Sequence, residues 1–181
     1  MPPPLTAPAE LFTRRLHLRR PTSRDAEAIF AYASDHEVTR YMAWPRHLSL
    51  DDTRAFLAHA DEEWRQRGAG VYLASSADGE IIGSTGLHLL APHRALTGYL
   101  LVPRVWGQGL ATELAQAMVG LARAQGLVRL EADCVAEHAA SARVLEKAGF
   151  AFEGRRRAFL LAPNLPGNAP VDVRSYAVVL R

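Results

Sequence analysis

The stretch Val102-Pro-Arg-Val-Trp-Gly-Gln-Gly-Leu-Ala-Thr112 constrains the fold of this chain more than any other. It joins an apolar strand, Thr97 to Val102, to an amphipathic helix through the pattern Arg-x-x-Gly-x-Gly, carried by Arg104, Gly107 and Gly109. Glycines at a strand-to-helix junction let backbone N–H groups converge without Cβ obstruction, at the positive end of the helix dipole. Such an arrangement holds a phosphate or pyrophosphate. A Gly-x-Gly pair alone is equally a plain helix-start turn; the strand–turn–helix setting is what makes this one a phosphate cradle.

The rest of the composition narrows the class. A chain of 181 residues, 49% hydrophobic and 22% charged, is expected to form one compact domain with a sizeable core. The division expected is a flexible tail over residues 1–12 and a single domain over 13–181. A net charge of +2 argues against a dedicated nucleic-acid binder. Arginines cluster at Arg14, Arg15, Arg19 and Arg20 and again at Arg155, Arg156 and Arg157. They read as solvated faces, with one or two available to an anionic ligand. Cys134 is the only cysteine and lies in an apolar strand, so it reads as a small core residue rather than a disulfide, metal or catalytic thiol. No metal site is expected. No apolar run reaches the ~18 residues of a membrane span, and the N-terminal Met-Pro-Pro-Pro lacks a signal-peptide layout. A cytoplasmic protein without membrane partners is the expectation, as a monomer or homodimer.

Periodicity supplies the elements. A strand is expected over Leu16–Arg20, a short helix over Ala26–Ser34, and a second short helix or turn over Val38–Trp44. Ser49-Leu-Asp-Asp52 opens a longer helix as a capping box and Gly68 ends it. Strands are expected over Val71–Ser75, Glu80–Leu90 and Thr97–Val102, with Asp78-Gly79 as the first hairpin turn. Helix Gly109–Ala124, strand Val128–Val135, helix Ala139–Ala148 and strands Phe150–Leu161 and Val171–Leu180 complete the chain. The pattern is a mixed α/β (α+β) sheet with helices on both faces.

Several segments fall in an order that carries a resemblance: Arg15-Leu-His-Leu-Arg19, Asp35-His-Glu-Val38 with Trp44-Pro45, Gly98-Tyr99 with the glycine turn, Ser141-x-x-Val-Leu-Glu-Lys-Ala-Gly-Phe150 with Glu153-Gly154, and Asp172 with Tyr176. Over nearly its whole length the chain resembles the GNAT superfamily of acyl-CoA N-acyltransferases, in the branch of the ribosomal-protein N-terminal acetyltransferases (RimJ/RimL type). The resemblance implies the GNAT fold: a mixed, mostly antiparallel sheet splayed between two parallel strands. It implies an N-acetyltransferase that moves acetyl from acetyl-CoA to a primary amine by direct attack. The alternative is an acyl-CoA-binding module with a sensing or scaffolding role.

Under that resemblance, the backbone around Arg104, Val105, Trp106, Gly107, Gln108, Gly109, Leu110, Ala111 and Thr112 would hold the coenzyme A pyrophosphate. The open end of the 97–102 strand would pair with the pantetheine arm as a strand pairs with a strand. An N–H near Leu101 or Val102 would polarise the thioester carbonyl. Ser141 occupies the position from which this branch protonates the departing thiolate; it is equally a helix N-terminal residue, and both roles are compatible.

Two departures stand out. His138 replaces an asparagine that in the family contacts the pantetheine arm, and a cofactor contact from it is still expected. The glutamates that serve relatives as general base are absent, with Leu96, Thr97 and Leu160 in their places. Asp133, His88 and Glu37 remain as candidates, as does a water chain to solvent. For the acceptor, Glu37, Tyr41, Trp44 and His88 are the expected contacts, bordered by the loop Ala162–Pro170. A protein N-terminus ranks before a small amine and both before lysine, because an α-amine of pKa about 7.7–8.0 needs less help to deprotonate than a lysine near 10.4.

Overall fold

The computed structural model describes residues 4–167 and 169–180. Among these, eight strands form one sheet: β1 (Glu10–Phe12), β2 (His17–Arg19), β3 (Val71–Ser75), β4 (Ile81–Ala91), β5 (Arg94–Leu101), β6 (Arg129–Val135), β7 (Ala151–Leu161) and β8 (Pro170–Val179). Their order is β1-β2-β3-β4-β5-β6-β8-β7. Every neighbouring pair is antiparallel except β5 and β6. That parallel ladder joins only Arg94–Leu96 to Arg129–Glu131. Beyond Leu96 the two strands part, and this gap is the splay the resemblance implied.

The helices are α1 (Ala26–Ala33), α2 (His36–Thr39), α3 (Leu50–Arg67), α4 (Leu110–Ala124) and α5 (Ala139–Lys147). Strand alternation decides which helix each face of the sheet meets. On β3, Tyr72 and Ala74 belong to the core built on Leu114, Met118 and Leu121 of α4. Leu73 turns the other way, against Ile29 and Tyr32 of α1 and Leu57 of α3. Full burial of side chains such as Leu114, Met118 and Leu130 contributes about 1.5–3 kcal/mol each. The lone Cys134 sits in this core, where burial pushes its thiol up to about 11, so it is inert as expected.

Local chemistry places the helix ends. Ser49 accepts from the Asp52 N–H while the Asp52 carboxylate accepts from the Ser49 N–H, and Gly68 closes α3 at φ 68°. The second helix is shorter and earlier than expected because Asp35 accepts from the N–H groups of Glu37 and Val38, which starts the turn at His36. Buried Asp25 binds Arg19 through two bonds (2.6 and 2.9 Å) and caps Thr22, holding the entrance to α1 against the sheet.

The expected loose tail is corrected over residues 4–12; its first three residues lie outside the described ones. Leu5 N–H donates to Arg67 O (2.7 Å), Ala7 N–H to Gly68 O (3.0 Å), and the buried Tyr72 hydroxyl to Pro8 O (2.6 Å). Residues 10–12 then pair with β2. Proline content suggested looseness, but the end of α3 and the edge strand offer backbone partners that a local reading cannot see. No helix among the described residues is long and apolar enough to cross a membrane.

Candidate active site

A cleft of about 500 Å³ opens where β5 leaves β6. Tyr99 and Leu101 form one wall, the turn at Val105–Gly107 and the first residues of α4 a second, and His138, Ser141, Arg143 and Lys147 the third. Gly107 and Gly109 adopt φ 74° and 78°, which L side chains rarely adopt, so the turn requires glycine at both places. Among the described residues, the N–H groups of Gly107, Gln108 and Gly109 have no acceptor, and Glu113 N–H is the first in α4 to bond back, to Gly109 O (3.1 Å). These groups and the N–H donors of Leu110, Ala111 and Thr112 converge at the helix start. Arg15 steadies the turn: Nη1 donates to Gln108 O (2.8 Å) and Nε to Glu113 Oε2 (2.7 Å). A pyrophosphate fits this cradle, and Arg143 and Lys147 add positive charge across the cleft.

The motif's own Arg104 does not line the cleft. It is exposed and paired with Glu80 (2.6 Å) in the turn before β4, and Gln108 is likewise exposed outside the lining. The cation at the turn is instead Arg15, which the sequence showed in an arginine cluster and in the segment Arg15-Leu-His-Leu-Arg19 but not as a partner of this turn.

At the inner end of the cleft, strand geometry separates Leu101 from Val102. Val102 N–H is committed to Ile82 O (2.9 Å) on β4. Backbone direction alternates along a strand, so the Leu101 N–H points the other way, into the gap beside β6. Its carbonyl is held by the Trp106 indole N–H (2.7 Å). Across the gap, the Tyr99 hydroxyl lies 2.9 Å from Ser141 Oγ and donates to Ser141 O at 3.1 Å. Burial pushes the Tyr99 phenol far up, so it stays protonated. His138 stacks on Tyr41 with ring centroids 4.4 Å apart, and burial lowers its pKa, keeping the imidazole neutral.

A second, smaller cavity of about 240 Å³ lies on the α1/α3 face of the sheet and shares Met42, Tyr99 and Leu100 with the cleft. Its walls include Tyr32, Trp44, Phe56, Ser84 and His88, and it contains no carboxylate. Among the described residues, the buried Tyr32 hydroxyl has no partner at hydrogen-bond geometry, its nearest polar neighbour being Ser84. Asn164, in the loop before β8, donates to Thr39 O (2.8 Å) and Trp44 O (2.9 Å), holding the segment that carries Trp44 over the cavity.

The acetyltransferase (GNAT) domain model matches residues 15–151. The chain belongs to the GNAT acetyltransferases. An uncharacterised N-acetyltransferase of Bacillus subtilis, YoaA, is 35% identical over 173 residues, 93% of this chain and 96% of that protein. A GNAT-family acetyltransferase structure from Bacillus anthracis is 26% identical, with a TM-score of 0.81, covering 94% of this chain and 98% of the other. The ribosomal L7/L12 alpha-N-protein acetyltransferase RimL, solved with coenzyme A, is 24% identical with a TM-score of 0.80, covering 96% of this chain and 97% of that one; it shows the shared fold. GNAT acetyltransferases use acetyl-CoA, and the cleft's unpaired N–H groups and cations suit its phosphates.

The geometry of this GNAT acetyltransferase divides the expected acceptor residues. Trp44 and His88 line the smaller cavity, whereas Glu37 and Tyr41 line the cleft. Asp133 lies in neither. Leu130, Ala132 and Cys134 take the core face of β6, so Asp133 turns to the opposite face and pairs with Arg156 on β7. Sequence reading left Tyr99, Tyr32, Arg143 and Lys147 without a role. Tyr99 and Lys147 stood within quoted motifs; Tyr32 and Arg143 gave no local signal.

Proposed function

We propose that this acetyltransferase moves an acetyl group from acetyl-CoA to the primary amine of a small molecule or of a single N-terminal residue with an uncharged, apolar body. The junction of the two cavities at Tyr99 and Leu100 supports this reading: a donor entering the cleft and an acceptor entering the smaller cavity meet beside the free Leu101 N–H. Acetyl-CoA supplies the acetyl group as a thioester. Leu101 N–H is the donor for the carbonyl oxygen, and Ser141 Oγ, supported by Tyr99, holds the proton needed by the departing sulfur.

The smaller cavity limits the acceptor. At about 240 Å³ it is below the range of drug-sized ligand sites, so it takes one side chain or a compact amine. Its aromatic walls and lack of carboxylates favour an aromatic or aliphatic amine over a polyamine. The test is thiol release from acetyl-CoA with phenethylamine, phenylalaninamide, spermidine and an Nα-blocked lysine, beside calorimetry with coenzyme A. Turnover with the first two and binding of coenzyme A are expected. Binding without thiol release for any amine would favour an acyl-CoA-binding module and overturn the proposal.

A further inference from the structure

We propose that His88, oriented by Glu63, is the catalytic residue that takes the proton from the acceptor amine, with Nε2 as the accepting atom. This rests on the acetyltransferase reading above and supplies the base missing from it. His88 stands on β4, and its Nδ1 lies 2.8 Å from Glu63 Oε1 on α3. A carboxylate at Nδ1 holds the proton there and leaves the Nε2 lone pair free, the logic by which an acidic partner fixes the tautomer of a catalytic histidine.

The backbone makes room for that atom. The imidazole lies over Gly86, where an added Cβ would collide with His88 Nε2. Gly86 pairs in register with Gly98, where a Cβ would meet nothing within 4 Å. Two facing glycines thus clear the floor of the smaller cavity beneath the ring, which itself lines that cavity. Among the described residues no carboxylate lines that cavity, and its other imidazole has no carboxylate hydrogen-bonded to it. His47 lines the same cavity, but its Nδ1 partner is the neutral Thr53 hydroxyl (2.9 Å) rather than a carboxylate, and burial lowers its pKa. From α1 the facing group is the Tyr32 phenol. From β5 and β6, Arg94, Glu131 and Arg129 are paired among themselves at 2.9 Å. Glu63 is thus the carboxylate in contact with His88 that balances the charge formed on it.

The step balances. The amine lone pair forms the new N–C bond to the acetyl carbon while the C–S pair leaves on sulfur. One N–H bond breaks, its electrons stay on nitrogen, and its proton passes to Nε2 through water, because Gly86, over which the ring lies, is three residues down the β4/β5 ladder from the Leu101 register. Ser141 furnishes the sulfur's proton.

The test combines pH profiles with a measurement that needs no acetyl donor. In the wild type, kcat/KM for phenethylamine should show an acid limb. His88→Gln should lower kcat/KM about 10²–10³-fold and abolish that limb. Glu63→Gln should lower kcat with KM for the amine little changed, because the imidazole loses the partner that fixes its tautomer and orientation, and Glu63→Asp should restore kcat in part. Gly86→Ala, which displaces the ring without removing it, should lower kcat and leave coenzyme A affinity unchanged. Without acetyl-CoA, the His88 side-chain nitrogen resonances should move on addition of phenethylamine. An acid limb unchanged in His88→Gln, or resonances that the amine does not move, would overturn the assignment while leaving acetyl transfer standing. Absence of transfer in the wild type would overturn the earlier reading, and the resonances would then decide whether His88 meets the amine.

Discussion

Tyr99→Phe is the most informative single change, because it removes one hydroxyl and leaves the ring in place. That hydroxyl touches Ser141 twice, Oγ at 2.9 Å and the carbonyl at 3.1 Å. At about 1 kcal/mol net per hydrogen bond, stability should fall by about 1–2 kcal/mol. For a chain of this size that lowers Tm by about 2–8 °C. The catalytic consequence is separable. If Ser141 supplies the proton to sulfur, Ser141→Ala should cost about 2–3 kcal/mol of barrier, a loss of roughly 30–150-fold in kcat. Tyr99→Phe only disorients that hydroxyl and should cost about 1 kcal/mol, roughly 5-fold. In the double variant the tyrosine has nothing left to orient, so kcat should equal that of Ser141→Ala and the cycle should show a coupling of about 1 kcal/mol. Thiol release measures kcat, and calorimetry with coenzyme A checks that binding is unaltered. The Ser141→Ala deficit should also shrink above about pH 8.5, where a thiolate departs unaided. Strictly additive losses, or a lowered Tm with kcat intact, would refute the relay and leave Ser141 as a helix-start residue.

Arg15→Ala should weaken coenzyme A binding about 10-fold, since the turn loses its tether at Gln108 O and a positive charge beside the phosphate cradle, about 1.4 kcal/mol. Calorimetry checks it, and an unchanged Kd would remove Arg15 from the site. Asp25→Asn should cost about 2–3 kcal/mol in chemical denaturation, somewhat less than a fully buried pair because Arg19 is 29% exposed. Burial pushes the Asp25 pKa up, but the bonds from Arg19 and Thr22 outweigh it and hold the carboxyl below its ordinary value. A depressed folded-state pKa stabilises above the unfolded value, so the wild-type advantage over the variant should be full at neutral pH and fade as the pH falls below about 4. A difference that persists unchanged to pH 2 would contradict this.

Where one element's own residues decided its structure, the sequence was legible. The capping box at Ser49–Asp52, the hairpin at Asp78-Gly79 and the glycine turn before α4 all stand where local chemistry put them. The order of strands and the splay followed from resemblance, since nothing in the residues of β5 says that its ladder with β6 stops at Leu96. The N-terminal segment was misread for the same reason. Its partners are Arg67, Gly68 and Tyr72, some sixty residues away, and three prolines at residues 2–4 conceal a segment pinned by other elements' carbonyls and donors.

The site was legible in its backbone and obscure in its charges. A glycine at positive φ is written in the local sequence, so the cradle was readable; the partner of an arginine is not. Arg104 carries the motif yet faces Glu80, while Arg15, some ninety residues earlier, reaches the turn. Asp133 stood on paper as the catalytic carboxylate, with His88 and Glu37 as the other candidates, and two facts of topology separate Asp133 from His88. Alternation on β6 sends Asp133 to Arg156, whereas Gly86, two residues before His88, leaves room for the imidazole to fold over the strand. The carboxylate that orients it, Glu63, comes from a helix that sequence reading assigned only to packing. If His88 is the base we propose, the absent glutamates do not leave the smaller cavity without one. They shift the question to a histidine whose competence depends on α3, and Glu63→Gln tests that dependence without touching the donor cleft.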